Sequence, residues 1–310
     1  MKYLITIPIL VTSLSTNAEV ITDGTLGQNI NLPGPEFQIT SDLGQQHGGN
    51  LFHSFQDFNL NSLESATFYG PDSVQNILSR VTGGNPSNID GLIRSTIPNA
   101  DMYFLNPYGI MFGPNAKLDV QGSFHASTAD YLRLGENGRF DVRNLRDSLL
   151  TVAPVESFGF LTDSPAPLSV NGSKRIVVPV GKTLSLIGGD IEINKSKMMA
   201  PSGRINIASV ADGQNKISVT SPTPKQAGNV TVRSSVVTVS DGSGSGGIIS
   251  IRAGKLLVTN SVISANTRNA NDGGNINVQA DELIANKTGR FMTSAIASGN
   301  GGNITIKVKM

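Results

Sequence analysis

Near its C-terminal end the chain repeats one short phrase, and this limits the folds open to it more than any other feature. Gly228-Asn229-Val230-Thr231-Val232, Gly246-Gly247-Ile248-Ile249-Ser250-Ile251, Gly273-Gly274-Asn275-Ile276-Asn277-Val278 and Gly301-Gly302-Asn303-Ile304-Thr305-Ile306 read as four copies of one unit. Each is a small-residue turn followed by a strand whose apolar and polar residues alternate. From Gly246 to Gly273 to Gly301 the spacing is 27 and then 28 residues. A near-constant period of this size marks a repeat architecture, in which each unit buries its apolar face on its neighbours.

The side-chain period selects the kind of repeat. One unit offers three short strands, at 274–279, 283–286 and 295–298, and the preceding unit offers 248–252, 255–258 and 262–265. Alternate residues share a strand face, so Ile276 with Val278, and Ile304 with Ile306, are expected to point inward. Three strands and three turns per unit predict one turn of a parallel β-helix, an all-β solenoid. Helical repeats need runs of about 10–12 residues at 3.6 periodicity, and none is present. Glycine at the corners permits positive φ, and a stacked asparagine there can bond up and down its column.

Composition agrees. Among 310 residues there are 34 glycines, 5% aromatics, no Trp and no Cys, which suits a narrow layered core. A net charge of +1 leaves no basic footprint for nucleic acid. Met1-Lys2 followed by the mainly apolar 3–14 stretch and the small residues up to Ala18 reads as a secretory signal peptide over 1–18. It is shorter and more interrupted than a membrane span of about 20 apolar residues, and no transmembrane segment is expected elsewhere. Absence of cysteine in an exported chain has two readings. Either the chain must stay unfolded and unlinked while it threads a second membrane, or a long solenoid needs no disulfide.

Residues 19–45 are expected to form an N-terminal cap, with strands at Val20-Ile21 and Phe37-Gln38-Ile39, because an open solenoid end exposes unpaired backbone. Residues 140–170 suggest an excursion from the coils, an extra-helical hairpin or loop. Strand patterns return at 176–178, 183–186, 191–193 and 204–207, and 213–227 reads as a surface loop. The chain stops in mid-pattern at Ile304-Thr305-Ile306-Lys307-Val308-Lys309-Met310. This suggests a truncated member of a longer kind, or an edge blunted by alternate lysines.

The most distinctive block is 46–130. His47-Gly48-Gly49-Asn50-Leu51-Phe52-His53-Ser54-Phe55 and Phe58-Asn59-Leu60 are followed by Asn76-Ile77-Leu78-Ser79-Arg80-Val81-Thr82-Gly83, then Pro86-Ser87-Asn88-Ile89-Asp90-Gly91. Tyr103-Phe104-Leu105-Asn106-Pro107-Tyr108-Gly109-Ile110-Met111-Phe112-Gly113 completes the series. In this order the segments resemble the filamentous haemagglutinin N-terminal domain, also called the haemagglutination activity or two-partner secretion domain. Val178-Pro179-Val180-Gly181-Lys182-Thr183-Leu184 and Gly188-Gly189-Asp190-Ile191 are similar to its later coils. The family's Asn-Pro-Asn-Gly motif has Tyr108 at its third position here, and its Asn-Pro-Asn-Leu motif is absent, as in a divergent, cyanobacterial-like subgroup.

The resemblance implies a right-handed parallel β-helix, with 19–170 as the secretion domain and 171–310 as continuing coils. It implies export through the periplasm of a Gram-negative-type cell and recognition by a cognate outer-membrane β-barrel transporter with periplasmic receptor domains. The product is then secreted or held at the cell surface, often as an adhesin that meets a host or neighbouring-cell ligand. Extended alternating segments can add to a receptor's sheet edge, and folding coil by coil outside would bias movement outward. Recognition is expected within 46–115, with Asn76, Arg80, Asn106, Pro107 and Gly109 as candidates. The competing reading of each is structural: a β-turn at 106–109, and loop or cap anchors at Asn76 and Arg80.

Phe52, Phe55, Phe58, Phe68 and Phe104 are expected in the core. His47, His53 and His125 lack metal-ligand spacing, so no metal or other cofactor is expected. Ser123, His125 and Asp130 lack a nucleophile elbow or oxyanion device, and Asp272 lacks the glycine/aspartate rhythm of calcium repeats. Asp190 and Glu192 share a strand face but have no further acid reliably beside them, so no catalytic residues are expected. A stand-alone adhesin binding carbohydrate or matrix is the second reading, and a polysaccharide-acting β-helix enzyme the third.

Overall fold

The computed structural model describes residues 19–240, 246–267 and 270–309; the signal-peptide reading of 1–18 lies outside them. The chain winds as a parallel β-helix with three faces. The first face stacks Asn50–Phe58, Asn76–Val81, Asp101–Leu105, Phe124–Ser127, Thr183–Gly188 and Arg204–Ser209, then the leading halves of Ile248–Thr259 and Asn275–Asn286, and Ile304–Val308. The second stacks Ser87–Ile89, Ile110–Phe112, Leu168–Asn171, Ile191–Asn194 and Asn229–Arg233 onto the trailing halves of the two long strands. The third runs from Glu36–Ile39 to Lys117–Asp119, and then from Ile176–Val177 to Arg290–Met292.

Alternation explains this winding. Inward residues such as Ile77, Met102, Phe124, Leu184, Ile205, Ile249 and Ile276 form a continuous column of register partners, each buried. Burying one such side chain contributes about 1.5–3 kcal/mol, and the layer above supplies the apolar contact that one coil lacks alone. The five expected core phenylalanines are all buried in these columns or on the face behind them.

Within the repeat units, two details differ from the sequence reading. The copies at Gly246, Gly273 and Gly301 do stack, but Gly228-Asn229-Val230 pairs with Lys255-Leu256 on the second face, one corner further round. The copy that stacks under Ile248 is Arg204-Ile205-Asn206-Ile207. A glycine turn before an alternating strand looks alike at either corner. The third strand of the 274 unit is Arg290–Met292 rather than 295–298, where Ala295 makes only an isolated bridge to Thr267.

The corner after the second face has its own device. Lys195, Ser234 and Asn260 take φ of 49°, 48° and 49°, and each is followed by a buried serine. Ser196, Ser235 and Ser261 donate to carbonyls of the coil before, and Ser196 N and Ser235 N donate to the next serine hydroxyl at 3.0 and 3.1 Å. The backbone polar groups of a tight interior corner are thereby satisfied. Asparagine stacking occurs as well: Asn76 Nδ2 donates to Asn50 Oδ1, and Asn303 N to Asn275 Oδ1.

Two insertions leave from the corner between the first and second faces. They supply an antiparallel outer sheet in the order Gly138–Asp141, Tyr131–Leu134, Val155–Phe160, Asn215–Ser218. The last strand lies within 213–227, so that segment is only partly the expected loop. The sheet covers the outward side of the first face, where Phe52, Leu78, Tyr103 and Ile187 meet Leu132, Phe140, Phe158 and Ile217 in a second core. At the N-terminal end Val20–Thr22 and Gln45–His47 pair antiparallel with Asn50–Phe58 and form a cap, but the other strand expected in it, Glu36–Ile39, pairs parallel with Ser65–Phe68 as the first strand of the third face.

Candidate functional site

Asn76, Leu78 and Arg80 lie on the outward side of one strand, opposite the inward Ile77 and Val81. That side is roofed by the first insertion. Arg80 is 1% exposed. Its Nε donates to Ser54 Oγ (2.7 Å), Nη2 to Thr25 Oγ1 (3.0 Å), and Nη1 to Ser148 Oγ (2.9 Å) and the Asp141 carbonyl. The guanidinium also lies 4.5 Å from the Phe140 ring centroid. Burial pushes its pKa down to about 10, opposed by the nearby Asp23 and Asp141, so it stays charged at neutral pH. Asp23 answers it through hydroxyls. Burial resists ionisation of this carboxyl, but hydrogen bonds from Ser54, Thr25 and Thr82 outweigh it and hold Asp23 below its usual range. Asn76 extends the tie: its partner Asn50 donates Nδ2 to the Thr151 and Ala153 carbonyls at 2.9 and 2.8 Å.

Asn106, Pro107 and Gly109 sit one coil further on, at the corner between the first and second faces. Gly109 N donates to the Asn106 carbonyl (3.1 Å), closing the expected β-turn. Asn106 is fully buried: Nδ2 donates to the Asn85 carbonyl and to Ser87 Oγ, and Oδ1 accepts from Tyr108 N. Gly109 has φ of +124°, a region that side chains rarely adopt. Arg143, held by the buried Asp130, donates to the Pro107 carbonyl (3.2 Å) and lies over the Tyr108 ring. The five candidates thus form two groups about one coil apart, and both groups are tied to the insertion between residues 130 and 153. Asp23, Asp141, Arg143 and Ser148 have no signature in the sequence, and Asp130 stands out there only beside Ser123 and His125, not as the partner of Arg143. Their partners lie up to 68 residues away, and no local motif marks them.

The remaining candidates do not assemble a reaction centre. His53 is buried beside Phe55 and Phe68, and burial lowers its pKa to about 4 against a weaker pull from Asp42. His125 stacks on Tyr103 at 4.5 Å and meets Ser185 Oγ rather than Ser123, while Asp130 is engaged by Arg143. Asp190 and Asp272 accept hydrogen bonds from Asn229 and Asn300, as turn braces between coils. Glu192 is exposed. Among the described residues no group of three or more His, Asp or Glu side chains could hold a metal ion, and no helix is long and apolar enough to cross a membrane.

Comparison with known proteins agrees with this architecture. The HMW1 secretion domain of Haemophilus influenzae superposes with a TM-score of 0.51 over 94% of this chain and 74% of that one, at 19% identity, and so shares the fold. A filamentous hemagglutinin secretion domain gives a TM-score of 0.44 over 94% of this chain and 98% of that one, at 12% identity. The heme/hemopexin-binding protein of Haemophilus influenzae is 34% identical over 84 residues, which are 27% of this chain and 9% of that protein. Residues 18–278 match the TPS secretion domain family, and the chain belongs to it.

Proposed function

We propose that residues 46–115 are the address read by a cognate outer-membrane transporter of the two-partner type, and that it is read while the chain is still extended. Membership of the TPS secretion domain family supports the transporter as partner and the periplasm as route. Burial carries the rest: Arg80 and Asn106 are 1% and 0% exposed, so a partner reaches those side chains only before folding. An extended segment can add to a receptor's sheet edge through its backbone, with alternate side chains giving selectivity. The folded coils would then serve as an adhesive scaffold at the cell surface. The matched stretch of the heme/hemopexin-binding relative is only 9% of that protein, so its ligand is not carried over.

Secretion of the chain with and without its transporter tests this. Export should require the transporter, and should fall further in Asn106→Ala than in Asn275→Ala, a turn of the later repeats. Circular dichroism and melting of the refolded variants would separate lost recognition from lost folding. Export without the transporter would move the stand-alone adhesin to first place.

A further inference from the structure

The outward side of the second face carries a groove of about 810 Å³. Its floor is one row of register partners on five neighbouring strands: Met111, Ser169, Glu192, Thr231 and Leu257. At the usual strand separation this row runs about 19 Å along the solenoid axis. Tyr108 lines the groove at the turn, with the Arg143 guanidinium 4.9 Å from its ring centroid on one side. Two charges are already engaged, Asp190 by Asn229 and Lys255 by Glu282. Glu192 and Arg233 are exposed, and among the described residues their side chains make no hydrogen bond or ion pair.

We propose that this groove binds a neutral oligosaccharide laid along the solenoid axis, with one ring against Tyr108 and hydroxyls shared between Glu192 and Arg233. The floor has the mixture a sugar presents: apolar Met111 and Leu257 at its ends, hydrogen-bonding Ser169, Glu192 and Thr231 between them. Met111 is 45% exposed, leaving apolar area to cover. The free charges cancel, which disfavours a polyanion or a polycation. An extended peptide fits less well, because the floor strands are paired on both sides and offer no backbone edge to join.

The purpose of such a site rests on the adhesive-scaffold reading, but binding is measured on purified folded protein, so failure of export and failure of binding are separate results. The test is calorimetric titration with cellotetraose, chitotetraose, maltotetraose and xylotetraose, with heparin and an extended acidic-basic peptide as competing classes. At least one tetrasaccharide should bind saturably. Its affinity should fall about tenfold in Tyr108→Ala and in Glu192→Gln, and stay unchanged in Lys197→Ala on the third face. Glu192 is exposed, so Glu192→Gln keeps the test open even if Tyr108→Ala folds poorly. Saturation by none of the four sugars, binding of heparin or the peptide alone, or sugar affinity unchanged in Glu192→Gln would overturn the proposal.

Discussion

Arg80 carries a charge into a site sealed by the cap, the first two coils and the insertion, and among the described residues it makes no ion pair with a carboxylate. Its cost of burial is met by three hydroxyls, one carbonyl and one aromatic ring. Lysine offers three donors from a single atom and cannot span partners arranged around a planar fork. Arg80→Lys should therefore lower unfolding free energy by about 3 kcal/mol, read from the urea midpoint at unchanged slope. His53 supplies a pH dependence. Its unfolded value is near 6.5 and its folded value about 4, so between these limits the unfolded chain binds more protons than the folded one. Stability is then full above pH 6.5 and falls as pH drops towards 4, by about 3 kcal/mol from this residue. His125 shifts the same way through burial, opposed by Asp101. His53→Leu should flatten about half of this slope; an unchanged slope would place the pH dependence elsewhere. Gly109→Ala should cost about 1–3 kcal/mol from its positive φ alone. Poor secretion of that variant would then report folding before it reports recognition.

At the scale of elements, what the sequence made legible was whatever repeats within a few residues. Alternation located the strands at 176–178, 183–186, 191–193 and 204–207, and the apolar columns they build. It does not say which corner a strand follows, and so does not separate the Gly228 strand from the Gly246 strand. The serine ladder is not legible in the sequence, because a single serine after a variable left-handed residue, Lys195, Ser234 or Asn260, carries no composition signal. Its energy is nevertheless concrete. Ser235→Ala would leave the Ser196 amide without its acceptor and the Ile193 carbonyl without that donor, inside a buried corner. A loss of about 1–3 kcal/mol is expected. Hydrogen exchange should quicken at Ser196 and its neighbours on the third face, while strands near the cap stay protected.

Across the whole molecule, the outer sheet changes the order in which folding can occur. Asn50 waits for Thr151 and Ala153, Arg80 for Asp141 and Ser148, the Pro107 carbonyl for Arg143, and Val155–Phe160 for Asn215–Ser218. Coil-by-coil winding suits the region after Gly246, where each strand meets only its neighbours. The earlier coils hold polar groups whose partners emerge some 60 to 100 residues later. No pattern in the 46–115 block reveals this, because the satisfying groups lie in a segment whose own sequence reads as irregular. A chain ending at residue 130 should thus remain protease-sensitive, whereas one ending at residue 240 should be resistant. Equal resistance would return the folding order to simple winding. Such a delay would keep the address extended while the transporter reads it.

The most direct test is the affinity of the transporter's periplasmic receptor domains for this chain in two states: freshly diluted from urea, and fully refolded. If the address is read before folding, the unfolded chain binds and the refolded chain does not, and a peptide spanning 46–115 competes. Equal binding by the refolded protein would contradict the account, because Arg80 and Asn106 are then out of reach.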